Sequence, residues 1–464
     1  MNCEQNLSFN EIITKEFVQN ALESEANGAP VPEIISHSAT LGTKPGDNYM
    51  SVIYSVDVTL SDGTKRHLLI KCYPSHPKRQ EFANKSNMFF RECEVYSKWI
   101  PELQRLQREV FGPDKDEAVK LPYAKFVHGQ CINFQSEEGK NRLSAGPINS
   151  LDNFIILNDL RKTDGFRMAN RLQPLDMDHM NLLISALARV HGLSWAYRSQ
   201  VEADITGKFS FLKSNKTEKS IIGWNKVMLS SLAQAKDMFD KEFGLGNDCS
   251  VAADRFKEHV DATAKLLLGI CTAEGMEKRF RIKEPDQEKF GRDAENPEPW
   301  RIICHGDCWI NNMLFRYDPV TGKPLEIVLV DLQLVQETCL VNDLSYVTHV
   351  CARLERSQLD NLLHLYHDTF NSVCKKLRTP TLPGFCMDSL RFRFHRAKFL
   401  GYYTAMLDIP IMLKETKVGD MEDMEEGQDV AGTLAELCSD AGSNARIKER
   451  LVEITKKMIE DGVL

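Results

Sequence analysis

The chain predicts an α+β protein built in two parts, a smaller β-rich one followed by a larger, mostly helical one. Three observations carry that prediction. Strand-like alternation dominates up to about residue 157, helical periodicity dominates beyond it, and a polar turn between two short apolar runs near residue 307 supplies the chemistry. With 464 residues and 42% hydrophobic content, each part can bury its own core.

Residues 8–25 read as a short amphipathic helix. Three strand-like runs follow at 34–41, 51–60 and 67–73, the last two joined by the hairpin signal Ser61-Asp62-Gly63-Thr64. Between the first two lies Gly42-Thr43-Lys44-Pro45-Gly46-Asp47-Asn48. Such a strand-turn-strand can lay backbone amides over phosphates or serve as a plain hairpin turn, and it fits neither a P-loop nor a full G-x-G-x-x-G pattern. Lys71 closes the apolar run Leu68-Leu69-Ile70, so a nearby acid is expected to pair with it. The helix expected over 80–99 offers Glu81, Glu92 and Glu94.

Residues 132–150 read as a polar loop before a strand at 153–157 that runs into Asn158-Asp159-Leu160. A helix over 178–197 carries an apolar stripe, which makes His191 a packed core residue. Further helices are expected at 220–240 and 250–273, and a polar loop at 283–299 leads to a buried strand at 301–304. Past a second buried strand at 327–330, helices are expected at 343–356, 358–377, 387–407 and 446–459, with 421–428 an acidic, solvated loop.

The chemistry concentrates where the two buried strands stop. The first leads into Cys304-His305-Gly306-Asp307-Cys308-Trp309-Ile310-Asn311-Asn312 and the second into Asp331-Leu332-Gln333. Phosphoryl transfer from ATP needs a carboxylate to orient a hydroxyl nucleophile, and a further carboxylate and an amide to hold Mg2+. Asp307, Asp331 and Asn312 supply those groups. A His-Gly-Asp turn alone is commonly structural; the added amide and strand-end acid favour the catalytic reading.

These motifs resemble the ecdysteroid kinase-like family of arthropods, relatives of the choline and aminoglycoside kinases with a bilobal protein-kinase-like fold. Other landmarks occur in order: Gly46-Asp47-Asn48-Tyr49 with Ser51, Leu69-Ile70-Lys71, Phe89 with Glu92 and Tyr96, Leu157-Asn158-Asp159-Leu160, Leu187 to His191, and Asn342-Asp343-Leu344. The resemblance implies an N-terminal nucleotide-binding lobe over 1–157 and a helical lobe over 158–464 with the catalytic loop and acceptor site. It selects Glu92 as the partner of Lys71 and assigns ATP contacts to Gly46, Asn48, Ser51, Lys71 and the hinge Asn158, Asp159 and Leu160. Asn158 replaces the family's usual Glu, leaving recognition there to the backbone. It further implies an acceptor that is an ecdysteroid or another hydroxylated lipophilic compound, with choline- or aminoglycoside-type acceptors, or a catalytically silent nucleotide-binding module, as alternatives. Trp195, Trp224, Met228, Phe394, Tyr402, Tyr403 and Met406 are available to an acceptor pocket, though each reads individually as core. Trp309 is expected to pack beneath its loop, and Asp343 to cap a helix or brace the loop.

The net charge of −8, with lysine and arginine scattered, argues against a nucleic-acid partner. The 13 cysteines are spread singly and predict a reducing, cytoplasmic setting. Cys304, His305 and Cys308 lack a second cluster to complete a zinc site and read as buried thiols and a turn prop. No run approaches the length of a membrane span.

Overall fold

A computed structural model describes residues 8–42, 51–74, 77–112, 118–214, 300–413 and 444–463. The expectations for Gly46, Asn48, Trp224, Met228, the helices at 220–240 and 250–273, the loop at 283–299 and the acidic stretch at 421–428 lie outside the described residues.

The N-terminal part is a five-stranded sheet formed by β1 (Ile34–Leu41), β2 (Val52–Leu60), β3 (Lys65–Cys72), β4 (Phe126–Gln130) and β5 (Phe154–Asn158), in the order β1-β2-β3-β5-β4. All neighbours are antiparallel. Alternation along β3 sends Leu68, Ile70 and Cys72 to one face, where they pack with Val18 and Leu22. Lys71 therefore leaves the opposite face, beside its cross-strand partner Ile155. That face is covered by helices carrying Phe89, Tyr96 and Trp99.

Three local expectations require correction. The helix foreseen over 8–25 is two, α1 (Phe9–Ile12) and α2 (Lys15–Glu25), because Thr14 caps the second by accepting from the Phe17 amide at 3.1 Å. The helix foreseen over 80–99 breaks at Asn87, whose φ of +55° no helix interior tolerates, giving α3 (Pro77–Ser86) and α4 (Met88–Glu94). A single π turn, Val95–Trp99, then joins α4 to α5 (Ile100–Phe111). The polar stretch 132–150 holds α6 (Glu137–Ser144), started by Ser136 accepting from the Gly139 amide at 3.0 Å. Its polar, glycine-containing sequence hides it from periodicity.

Beyond β5, a short α7 (Leu160–Thr163) precedes the 24-residue α8 (Met177–Gln200) and α9 (Ile205–Lys208). Strand β6 (Arg301–Cys304) pairs with β9 (Gln336–Cys339), and β7 (Met313–Tyr317) with β8 (Pro324–Leu329). Helices α10 (Val341–Val350), α11 (Arg356–Lys376), α12 (Met387–Leu413) and α13 (Ala445–Glu460) follow. A single apolar cluster joins α8, the small strands and α10 to α13. Phe394, Tyr402, Tyr403 and Met406 lie buried in it, and the half-buried Trp195 packs against it. Among the described residues, no helix is long and apolar enough to cross a membrane.

Candidate active site

Two short pairings bring the site together. β6 delivers the chain to His305, and the β7–β8 register sets Met313 opposite Leu329. Asn312 and Val330 are therefore adjacent, joined by the Val330 amide donating to the Asn312 carbonyl at 3.0 Å. Asp331 leaves the same end. Gly306 is required by its φ of +80° and by the Leu334 carbonyl oxygen, which would lie 2.5 Å from an added Cβ. The turn is braced from α10: Asp343 accepts the His305 amide at 2.8 Å and the Gly306 amide at 3.0 Å. Asp343 thus braces the loop rather than capping a helix.

Asp307 is half-buried, and each of its carboxylate oxygens has a partner. Asn312 Nδ2 donates to Oδ2 at 3.0 Å, and Tyr346 Oη lies 3.1 Å from Oδ1. Burial, with Asp408 and Asp331 nearby, pushes the Asp307 carboxyl well above the ordinary aspartate range. The sequence reading required no such shift. Because the Asn312 amide nitrogen faces Asp307, its carbonyl oxygen is directed elsewhere, where it is a suitable donor for a hard cation.

Lys71 Nζ donates to Glu92 Oε2 at 2.6 Å and to Asp331 Oδ1 at 2.9 Å. Of the three glutamates available, Glu92 is the one in contact. Lys71 is 9% exposed and Glu92 2%. Burial opposes the lysine charge, but Asp331 and then Glu92 hold its ammonium above the usual range. Burial raises the Glu92 carboxyl while Lys71 and the Leu332 amide counter it. Asp331 itself has φ +61°, a left-handed conformation uncommon outside glycine.

At the expected hinge, two backbone amides have partners in the sheet. The Asn158 amide donates to the Lys125 carbonyl at 3.0 Å and the Asp159 amide to that of His67 at 2.9 Å, so both are committed to the sheet. The Asp159 carboxylate is also engaged, accepting from Ser55 Oγ at 2.9 Å and from Arg161. The Asp159 and Leu160 carbonyls accept from the amides of Lys162, Thr163, Asp164 and Phe166. Ser51 is buried just ahead of β2.

His191 is fully buried, set between Tyr366 Oη at 2.7 Å and Asp343 Oδ2 at 3.2 Å. It extends the brace of the catalytic turn. His191, Cys304 and Asp343 form a group of metal-ligand types, but Asp343 is already occupied by two amides and this histidine. Cys308 is buried, and His305 Nε2 lies 3.1 Å from the Val330 carbonyl, as a turn prop should. Sequence reasoning missed Tyr346 and Asp408. The available signal was Asp408 itself, the lone charge in the stretch from Phe399 to Leu413.

A β-sheet lysine paired with a helix glutamate, facing a His-Gly-Asp turn and a strand-end aspartate, defines a kinase-like small-molecule phosphotransferase. The ecdysteroid kinase-like family matches residues 45–379, most of the chain, and the protein belongs to it. Among solved structures, the apoenzyme of a macrolide 2'-phosphotransferase from Brachybacterium faecium is 11% identical, covering 89% of this chain and 100% of its own, with a TM-score of 0.32. At that similarity the match bears on neither mechanism nor substrate. No curated protein matches the chain.

Proposed function

We propose that the protein transfers the γ-phosphoryl group of ATP to a hydroxyl of an ecdysteroid or a similar hydroxylated lipophilic compound, in the cytoplasm. The observation that carries this reading is the conjunction of Lys71, Glu92 and Asp331 in one hydrogen-bonded group with Asp307 bonded to Asn312.

The donor set fits magnesium: one carboxylate and one amide oxygen, both hard ligands that leave room for water and phosphate oxygens. Asn312 and Asp331 would hold the ion, which supplies charge neutralisation on the phosphates. Lys71, steadied by Glu92, takes the α and β phosphates and exchanges its contact with Asp331 for them. Asp307 receives the acceptor hydroxyl, orients its oxygen toward the γ-phosphorus and accepts its proton as the new O–P bond forms and ADP leaves. In a loose transition state this aiming matters more than basicity.

The acceptor class rests on the family alone. The test is ADP release with Mg-ATP across a panel of ecdysteroids, choline, aminoglycosides and plant glycosides. Preferential turnover of ecdysteroids is expected. Turnover confined to choline or aminoglycosides would replace the substrate, and nucleotide binding without turnover of any panel member would reduce the protein to a silent binding module.

A further inference from the structure

Helix α12 crosses α10 at Gly401, where an added Cβ would lie 2.4 Å from Ser345 Oγ and 2.5 Å from His349 Nδ1. Only a glycine allows the approach. Seven residues on, about two turns along the same face, α12 presents Asp408 to the neighbouring residue of α10, Tyr346. Tyr346 Oη lies 2.6 Å from Asp408 Oδ2 and 3.1 Å from Asp307 Oδ1. A tyrosine hydroxyl has one proton to donate. Between two ionised carboxylates that proton could make only one full hydrogen bond or a weaker shared one, with like charges left facing each other. Two full hydrogen bonds therefore require that one of the acids be protonated.

We propose that Tyr346 and Asp408 are positioning residues for the transfer: Asp408, as the neutral acid, donates to the Tyr346 oxygen, and the Tyr346 hydroxyl donates to Oδ1 of Asp307. Asn312 fixes the other oxygen of Asp307. The base is then held at both oxygens, with its remaining lone pairs aimed at the acceptor. The assignment of the proton to Asp408 agrees with its surroundings. Burial raises both carboxyls, that of Asp408 to about 7. Asp307 also accepts from the Asn312 amide, which favours its ionised form, whereas Tyr346 is the one hydrogen-bond partner of Asp408 among the described residues. During transfer the acceptor O–H proton passes to Asp307 as the O–P bond forms and the bond to the ADP leaving oxygen breaks. The Asp408 proton is retained throughout.

This inference rests on the proposed role of Asp307, and the experiment separates the two. Steady-state kinetics with Mg-ATP and the panel acceptor turned over by the wild type are measured for Tyr346→Phe, Asp408→Ala, Asp408→Asn and Asp307→Asn, alongside infrared difference spectra of wild type against Asp408→Asn. Losing one hydrogen bond to a charged group should lower kcat about 10-fold in Tyr346→Phe and Asp408→Ala, with the KM for ATP unchanged. Asp408→Asn keeps a donor to the tyrosine and should retain kcat within about twofold of wild type, a change of well under 1 kcal/mol. Its difference spectrum should show loss of a protonated-carboxyl C=O band. Wild-type kcat in both Tyr346→Phe and Asp408→Ala, while Asp307→Asn is inactive, would overturn the positioning role alone. An impaired Asp408→Asn, or no lost acid band, would overturn the neutral-acid assignment, and the spectrum needs no turnover. Activity retained in Asp307→Asn, or no panel turnover, would strike the underlying function instead.

Discussion

Two pairs of acids at the candidate site are balanced in opposite ways. On the nucleotide side, Glu92 and Asp331 share one lysine, so the charges are balanced by a cation at 2.6 and 2.9 Å. On the side proposed to receive the acceptor, Asp307 and Asp408 share the Tyr346 hydroxyl, and a proton does there what a lysine does for Glu92 and Asp331. The difference suits the work. A phosphate-binding wall needs a lasting positive charge, whereas a wall that receives an alcohol proton needs acceptors that are not already neutralised by an ammonium.

The largest effect expected is on the acceptor wall. Asp307→Asn should lower kcat about 10³-fold while nucleotide affinity changes little, as removal of a positioned base does. Titration of ATP onto the variant beside its turnover would expose an error, since turnover near wild type breaks the comparison at its root. On the other wall, Lys71→Met leaves Glu92 buried without its cation, which costs about 3–5 kcal/mol of stability. It should also weaken Mg-ATP binding, so chemical denaturation and calorimetry together read both consequences. If neither moves, the lysine does not balance those acids.

A third expectation concerns acid stability. His349, one turn beyond Tyr346 on α10, is held by burial down to about 4 and donates toward the Ser345 carbonyl at 2.6 Å. Its folded value lies below the ordinary value of about 6.5, so the unfolded chain binds more protons between these limits. The stability this neutral histidine lends is full above about pH 6.5 and lost as pH falls through about 4, on the order of 3 kcal/mol at most. His349→Gln should flatten that part of the stability-against-pH curve, and an unchanged slope would remove the histidine from the account. The smallest change expected is Gly401→Ala, which forces α12 off α10 at a cost of about 1–3 kcal/mol. If the crossing matters to the acceptor wall, kcat falls in folded protein while the KM for ATP stays put.

How much of this was legible in the sequence follows the same division. The nucleotide wall is built from strand alternation and one helix, so Lys71 and its need for an acid could be read directly, although the choice of Glu92 came from the family pattern. Asp307, Asn312 and Asp331 were legible because Asp307 and Asn312 sit in one turn after a short buried strand and Asp331 ends the next buried apolar run. Tyr346 and Asp408 were not, being 62 residues apart and brought together by a helix crossing that no local pattern announces. The break at Asn87 escaped because a single residue at positive φ leaves the flanking periodicity intact. The expected hinge meets a different limit. A resemblance supplies a role for a segment, but which amides the sheet already uses is a matter of register, seen only once β3 and β5 are paired.

The bridge from Lys71 to Glu92 and Asp331 also has a kinetic implication. One ammonium ties the sheet to Asp331 before any nucleotide arrives, and in the proposed reaction it must leave Asp331 to receive the phosphates. Association should then proceed in two steps, an encounter followed by this exchange, so that observed rates level off at high ATP concentration.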